Sequence, residues 1–261
     1  MSEKGILVYS ISNSFNASLL NEAGIDGEGR LYAIKSENLF AVVSDVGLDE
    51  YSEEAMAEKS EDIGWLKEKA QIFMNIMLKI SGVSCIIPMK FLTIFTSEDR
   101  VKGMIGENYE QFTRNFDKID GRSEVSVKIY CDGKLYKENI MGEEIKAFEK
   151  TLAGKPKGAA FFLKKKFEGE LDDKLQNRIC RKANDFSNEL KMYAEDMKSN
   201  KILAKEITGV ETPMVLNCAF LVDAKQKETL AAAVRKISDE NVGSGFSLEF
   251  SGPWPPYSFC E

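Results

Sequence analysis

Histidine is absent from all 261 residues. No Ser-His-Asp or Cys-His nucleophile, imidazole metal site or histidine pH switch can therefore be built. Any chemistry would fall to carboxylates, Lys, Tyr or Cys. The five cysteines, Cys85, Cys131, Cys180, Cys218 and Cys260, lie 46, 49, 38 and 42 residues apart with no C-x-x-C pair. That spacing does not suit a local zinc site and fits reduced thiols in a cytosolic chain. The first four read as small buried hydrophobes, and the penultimate Cys260 as an exposed thiol. The acids Glu53, Glu54, Glu143 and Glu144 are expected at helix starts, where the helix dipole accounts for them. Gly154-Lys155-Pro156-Lys157-Gly158 has neither the spacing nor the Ser/Thr of a phosphate loop. The reading is no catalytic residue, no metal and no cofactor.

The chemistry of the last ten residues is one of contact. Three of the six prolines fall in Gly252-Pro253-Trp254-Pro255-Pro256-Tyr257-Ser258-Phe259-Cys260-Glu261. Proline fixes φ and donates no backbone hydrogen bond, so this segment is expected to be extended and polyproline-like, neither helix nor central strand. Trp254, Tyr257 and Phe259 put large apolar surfaces on a stem stiffened by Pro255 and Pro256, and such surfaces need a groove. Two readings stay open: a strap on the same molecule, or a docking segment for a partner.

Charge narrows the partners. Acidic residues outnumber basic ones by 42 to 35, and the basic set is 28 Lys and only 7 Arg. A surface built for nucleic acid or anionic lipid is not expected. Phe161-Phe162-Leu163 followed by Lys164-Lys165-Lys166 interleaves aromatics with lysines, and reads as a solvated helix face. Gly243-Ser244-Gly245-Phe246 superficially resembles an RNA-binding strand, but it lies on the last strand and lacks a leading basic residue. The first residues turn polar too quickly for a signal peptide, and no apolar run approaches the roughly 18 residues of a membrane span. A cytoplasmic protein is expected.

The elements that must carry this tail follow from periodicity. Ile6–Ile11 reads as a strand, and Arg30–Ile34 with Asn38–Ser44 as a hairpin turning at Lys35-Ser36-Glu37. Ser52 caps a helix expected to run to Ile80, with Ile63, Leu66, Ala70, Phe73, Met77 and Ile80 on one face. A strand over Cys85–Ile87 ends at Pro88, and Ser97 opens a helix running to about Lys118. Val125–Cys131 is a strand, Glu143–Thr151 a short helix, and a longer helix runs to Ser199 on a stripe from Leu171 to Met197. Ile202–Thr208 and Met214–Val222 are strands. Asp223 and Gln226 resemble a capping box before a helix carrying Leu230, Val234 and Ile237, and Phe246–Phe250 alternates as a last strand. The order predicts an α+β chain: a modified ferredoxin-like domain over 1–120, a ferredoxin-like domain over 121–251, and an extended tail over 252–261.

The chain end S-G-P-W-P-P-Y-S-F resembles the C-terminal signature of the gas vesicle GvpL/GvpF family. The resemblance extends along the whole chain: Ile6-Leu7-Val8-Tyr9, Ala41–Val46 with Tyr51, Trp65-Leu66 with Ala70, and Ile87–Phe95 against a family segment that usually reads P-x-x-F-G-T. Glu124 with Val127–Tyr130 and the strand at Met214–Asp223 complete it. Leu92 stands where the family often has Gly, Val125-Ser126 where Trp-Gly is common, and Phe73 where a His is expected. The resemblance implies a non-catalytic accessory or minor structural protein of gas vesicle assembly. Its partners would be the major shell protein and other accessory proteins, with no nucleic acid and no membrane, in the cytoplasm or at the vesicle. Trp254, Pro255, Pro256, Tyr257 and Phe259 are the expected interaction or structural tail. The alternative is a small-ligand-binding or enzymatic module on a ferredoxin-like scaffold.

Overall fold

The computed structural model describes residues 3–59 and 61–260. Two compact units emerge, one ending at Glu124 but joined by the residues from Pro253 onward, the other Val125–Gly252. The tail thus packs with the first unit rather than standing as a third segment, and Glu261 lies outside the described residues.

In the first unit, β1 (Lys4–Ser12) is the central strand and is buried from Gly5 to Ser12. The hairpin of β2 (Tyr32–Ser36) and β3 (Leu39–Gly47) pairs with one side of it. Ser36 faces Leu39, so the turn is Glu37-Asn38 and not Lys35–Glu37. A β-bulge between Val8 and Ser10 interrupts the β1–β3 register at Tyr9. The single helix expected from Ser52 to Ile80 is instead three pieces: α1 (Leu48–Tyr51), α2 (Glu53–Lys59) and α3 (Ile63–Ser81). Ser52 does cap α2, accepting from the Ala55 N–H at 3.2 Å. Asp62 restarts the helix by accepting from the Trp65 N–H at 3.0 Å. Ser60, between the two caps, lies outside the described residues.

Strands β4 (Ile86–Pro88) and β5 (Ile94–Phe95) both pair antiparallel with β1. Pro88 closes its short strand, as an element unable to donate must. The helix expected from Glu98 to Lys118 is broken at Asn108 into α4 (Glu98–Glu107) and α5 (Tyr109–Ile119). There the Asn108 side-chain amide bonds the Met104 carbonyl at 2.8 Å and competes with the helix ladder.

Strand β6 (Arg122–Cys131) enters the second unit at Val125 and is followed by α6 (Gly133–Leu152) and α7 (Lys157–Lys191). Helix α6 starts ten residues before the expected Glu143, because Asp132 caps it through the N–H groups of Lys134 and Leu135. Glu143 and Glu144 are therefore mid-helix residues. Helix α7 ends at Lys191, short of Ser199. Tyr193 and Met197 still pack against the same core, so apolar spacing continues after the helix has stopped. Asp196–Ser199 is β7, paired with β8 (Met214–Asp223) from Asp196↔Leu221 to Ser199↔Cys218. Ile202–Thr208 is no strand. Ile202 and Ile207 are exposed, and Lys205–Thr208 forms one helical turn, α8, closed by Gly209 at φ +69°. Helix α9 (Lys227–Glu240) has no side-chain cap, since Asp223 accepts from the Lys225 N–H instead of completing a capping box. The last strand, β9 (Phe246–Trp254), completes the order β7-β8-β6-β9. Gly245, at φ +101°, has no room for a Cβ: one would sit 2.9 Å from the Asp132 carbonyl oxygen. The glycine that suggested an RNA-binding strand is there for close packing.

Candidate functional site

The tail residues singled out in the sequence are held against the first unit by three different forces. Pro255, Pro256 and Phe259 are buried, and Tyr257 is partly so. Burying Phe259 in full contributes about 2–3 kcal/mol. The Lys118 ammonium lies 5.3 Å from the centre of its ring, a cation–π contact. Glu124, itself buried, clamps the backbone: the Ser258 N–H donates to Oε2 at 2.8 Å and the Ser258 hydroxyl to Oε1 at 2.8 Å. Hydrogen bonds to an ionised carboxylate are about twice as strong as neutral ones. Glu124 was legible only as part of a strand motif, and its pairing with Ser258 across the chain was not.

The segment is not polyproline throughout. Trp254 ends β9, Pro256 has ψ 56°, and Tyr257–Phe259 form a single 3₁₀ turn. The Phe259 N–H donates to the Pro256 carbonyl at 3.1 Å and so closes that turn.

Tyr257 forms one wall of an apolar cleft of about 320 Å³ whose other walls are Ala70, Phe73, Met74 and Phe91. Burial pushes its hydroxyl up to about 12, so the phenol stays neutral over the physiological range. Phe73 organises the floor. Its ring stacks on Tyr9 at 5.4 Å and meets Phe91 edge-on at 5.3 Å. Tyr9 is fixed in turn by a 2.9 Å bond to the Ser44 hydroxyl and a 2.9 Å bond from the Ile25 N–H. Burial raises the Tyr9 phenol to about 12 despite both bonds.

Phe91 reaches the cleft because the chain leaves the β1 edge after Pro88 and returns at Ile94. The excursion is tight. The Thr93 N–H and hydroxyl both bond the Lys90 carbonyl, at 3.2 and 2.8 Å. Leu92 absorbs the bend at φ +61°, a left-handed conformation that glycine adopts freely and leucine does not. Leu92 is thus a position of backbone strain.

Trp65 supports the neighbouring helix without entering the cleft. Its Nε1–H donates to Glu50 Oε1 at 3.1 Å, and Lys59 lies 5.0 Å over its ring. Burial alone would raise the Glu50 carboxyl, but bonds from Trp65 and Lys59 and the Lys69 charge hold it below its ordinary value. The cleft therefore offers an apolar floor and one neutral phenol, a surface for packing.

Among the described residues, no group of three His, Cys, Asp or Glu side chains could hold a metal ion, and no helix is long and apolar enough to cross a membrane. Among the described residues no disulfide joins any of the five cysteines. Of the four cysteines expected to be buried, Cys131 and Cys218 are, Cys85 is half-buried and Cys180 is exposed, while Cys260, expected to be exposed, is half-buried. Helix α7 turns Cys180 away from the stripe that buries Ile179.

Comparison with known proteins gives one answer at each level. The family described as gas vesicle synthesis protein GvpL/GvpF matches residues 5–261. Gas vesicle protein L of Streptomyces sp. (strain CB03234) is 26% identical over 97% of this chain and 91% of its own length. Gas vesicle protein F of the same organism is 24% identical over 97% and 98%. The crystal structure of the gas vesicle protein GvpF from Anabaena sp. PCC7120 superposes with a TM-score of 0.75 at 18% identity, covering 100% of this chain and 99% of that one. The GvpF structure from Microcystis aeruginosa gives 0.65 at 16% identity, over 98% and 99%. These likenesses share a mixed α/β fold with two antiparallel sheets. With a family match running from residue 5 to the chain end, this chain belongs to the gas vesicle GvpL/GvpF family.

Proposed function

We propose that this chain is a non-catalytic accessory protein of gas vesicle assembly that binds the major shell protein through the cleft beside its C-terminal tail. The observation that carries the reading is the cleft itself: aromatic walls at Phe73, Phe91 and Tyr257, large enough at about 320 Å³ for one or two apolar side chains. A shell subunit buries its apolar face only on polymerising, and until then that face is aggregation-prone. An adaptor holding part of it would keep the subunit soluble and deliver it to the growing vesicle. Other accessory proteins are further partners, and the site of action is the cytoplasm at the vesicle surface. Trp254, Pro255, Pro256, Tyr257 and Phe259 act here as a strap that builds one wall of the binding surface.

Both units are read as variants of one ferredoxin-like plan. The second unit supports this with the element order β-α-β-β-α-β, counting α6 and α7 as one crossover, and the strand order β7-β8-β6-β9. The first unit supports it with a strand, a hairpin, a helix and a returning edge strand.

Crosslinking the chain to the shell protein through lysine side chains tests the surface. Lys90, exposed and next in sequence to the cleft residue Phe91, is expected to carry the crosslinks. Crosslinks confined to the second unit would overturn the placement.

A further inference from the structure

Helices α6 and α7 form an antiparallel hairpin whose outer part leaves the core. Ile145 and Phe167 are the last side chains packed against the second unit's core. Within 157–170 of α7, no residue is buried. At 1.5 Å per residue, the ten positions 157–166 beyond Phe167 project for about 15 Å. Near the tip, Phe161 is 70% and Phe162 75% exposed, with Leu163 beside them. Phe148 and Phe167 stack at 3.7 Å between the two helices. They help line a groove of about 240 Å³ with Ile145, Leu152 and Leu171.

The charge on this arm opposes that of the whole chain. Residues 146–166 hold seven lysines and one glutamate, a net +6 in a protein whose formal charge is −7. All seven lysines are exposed. The carboxylates that face them lie toward the core end: Glu168 and Glu170 approach Lys164 and Lys166 at 3.9 Å, and Glu143 meets Lys146 at 3.3 Å. Glu149 and Glu168 sit on the groove rim with Lys137 and Lys164.

We propose that this arm is a docking site for an amphipathic helix of a partner protein whose apolar stripe is flanked by acidic residues. The apolar stripe fits the groove and the exposed Phe161–Leu163 knob, and the acids meet the lysine collar. The arm of a second copy is the wrong occupant, because two collars of like charge would face each other. A groove between helices suits a helix better than a lipid surface, which has nothing to lay into it. This surface lies in the second unit and is independent of the cleft proposed above.

The probe is a synthetic amphipathic helix with a leucine stripe flanked by glutamates, compared with its lysine-flanked counterpart. Labelled peptide is titrated with the full chain and followed by fluorescence anisotropy. The glutamate peptide is expected to bind at least about tenfold more tightly than the lysine one, and more weakly as salt is raised. Phe161→Ser with Phe162→Ser should weaken it by about tenfold or more, as loss of an anchor does. Lys164→Glu with Lys165→Glu and Lys166→Glu should reverse the peptide preference. Circular dichroism of each variant should match the parent, since every altered side chain is exposed. Equal binding of both peptides, or no effect of either variant set, overturns the proposal. So does sedimentation of the chain with phosphatidylglycerol vesicles while the glutamate peptide fails to bind.

Discussion

Leu92 carries backbone strain, with φ +61° at a leucine. A left-handed φ at a leucine costs about 1–2 kcal/mol. Glycine removes that cost but also the packing of a partly buried side chain. Leu92→Gly is therefore expected to change stability by no more than about 1 kcal/mol, and Leu92→Ala, which keeps the strain and loses the packing, to be the worse substitution. Urea unfolding of the two variants checks the order, which is the reverse of that for leucines at ordinary φ. The resemblance marked this position in the sequence, but only the backbone shows its strain. Tyr257 carries a second expectation. Its phenol is raised by burial from the ordinary 10.0 to about 12. Below pH 10 it is neutral folded and unfolded, and its contribution is fully present. As pH climbs from 10 through about 12, the unfolded chain loses the proton first and stability falls. The parent should lose more melting temperature across that window than Tyr257→Phe, and parallel curves would deny the burial.

Elements were legible where one periodicity ran without competition. Strands β1, β6 and β8 and the core faces of α7 and α9 come from apolar spacing that the structure uses, whereas the stripe expected on α3 is buried only at Phe73, Met77 and Ile80, with Ile63 79% exposed and Ala70 exposed. Boundaries were not legible where a local side chain overrode the pattern. Asn108 breaks a helix whose apolar stripe continues across the break, and Asp62 restarts one after α2, which buries no side chain. Strand β7 was hidden because Tyr193 and Met197 prolong the stripe of α7 into a different element. The β2–β3 hairpin shows the same limit. Its two-residue turn places Glu37 at φ +53°, a position that favours glycine. Glu37→Gly is expected to stabilise the first unit by roughly 0.5–1 kcal/mol, read as a rise in melting temperature. A fall would mean that the glutamate side chain has a role the turn does not show.

At the scale of the molecule, the absence of histidine and the Pro-aromatic end were the most informative features of the sequence. The first removed whole classes of chemistry, and the second marked the one segment that crosses back to the first unit. What could not be read was the destination: Glu124 and Ser258 are 134 residues apart, and no periodicity links them. Removing Pro255 onward should lower the melting temperature, because it uncovers the Phe259 site and leaves buried Glu124 without its Ser258 donors. An unchanged melting temperature would leave the tail free for a partner instead. The central claim is that the cleft walled by Phe73, Phe91 and Tyr257 grips the shell protein. Co-expression of the shell protein with the parent chain and with Ala70→Glu, whose side chain enters the cleft from an exposed position, tests it most directly. The account predicts that the parent keeps the shell protein soluble and co-purifies with it, while Ala70→Glu folds normally and retains about a tenth as much or less. Equal retention by both chains, or none by the parent, would contradict it.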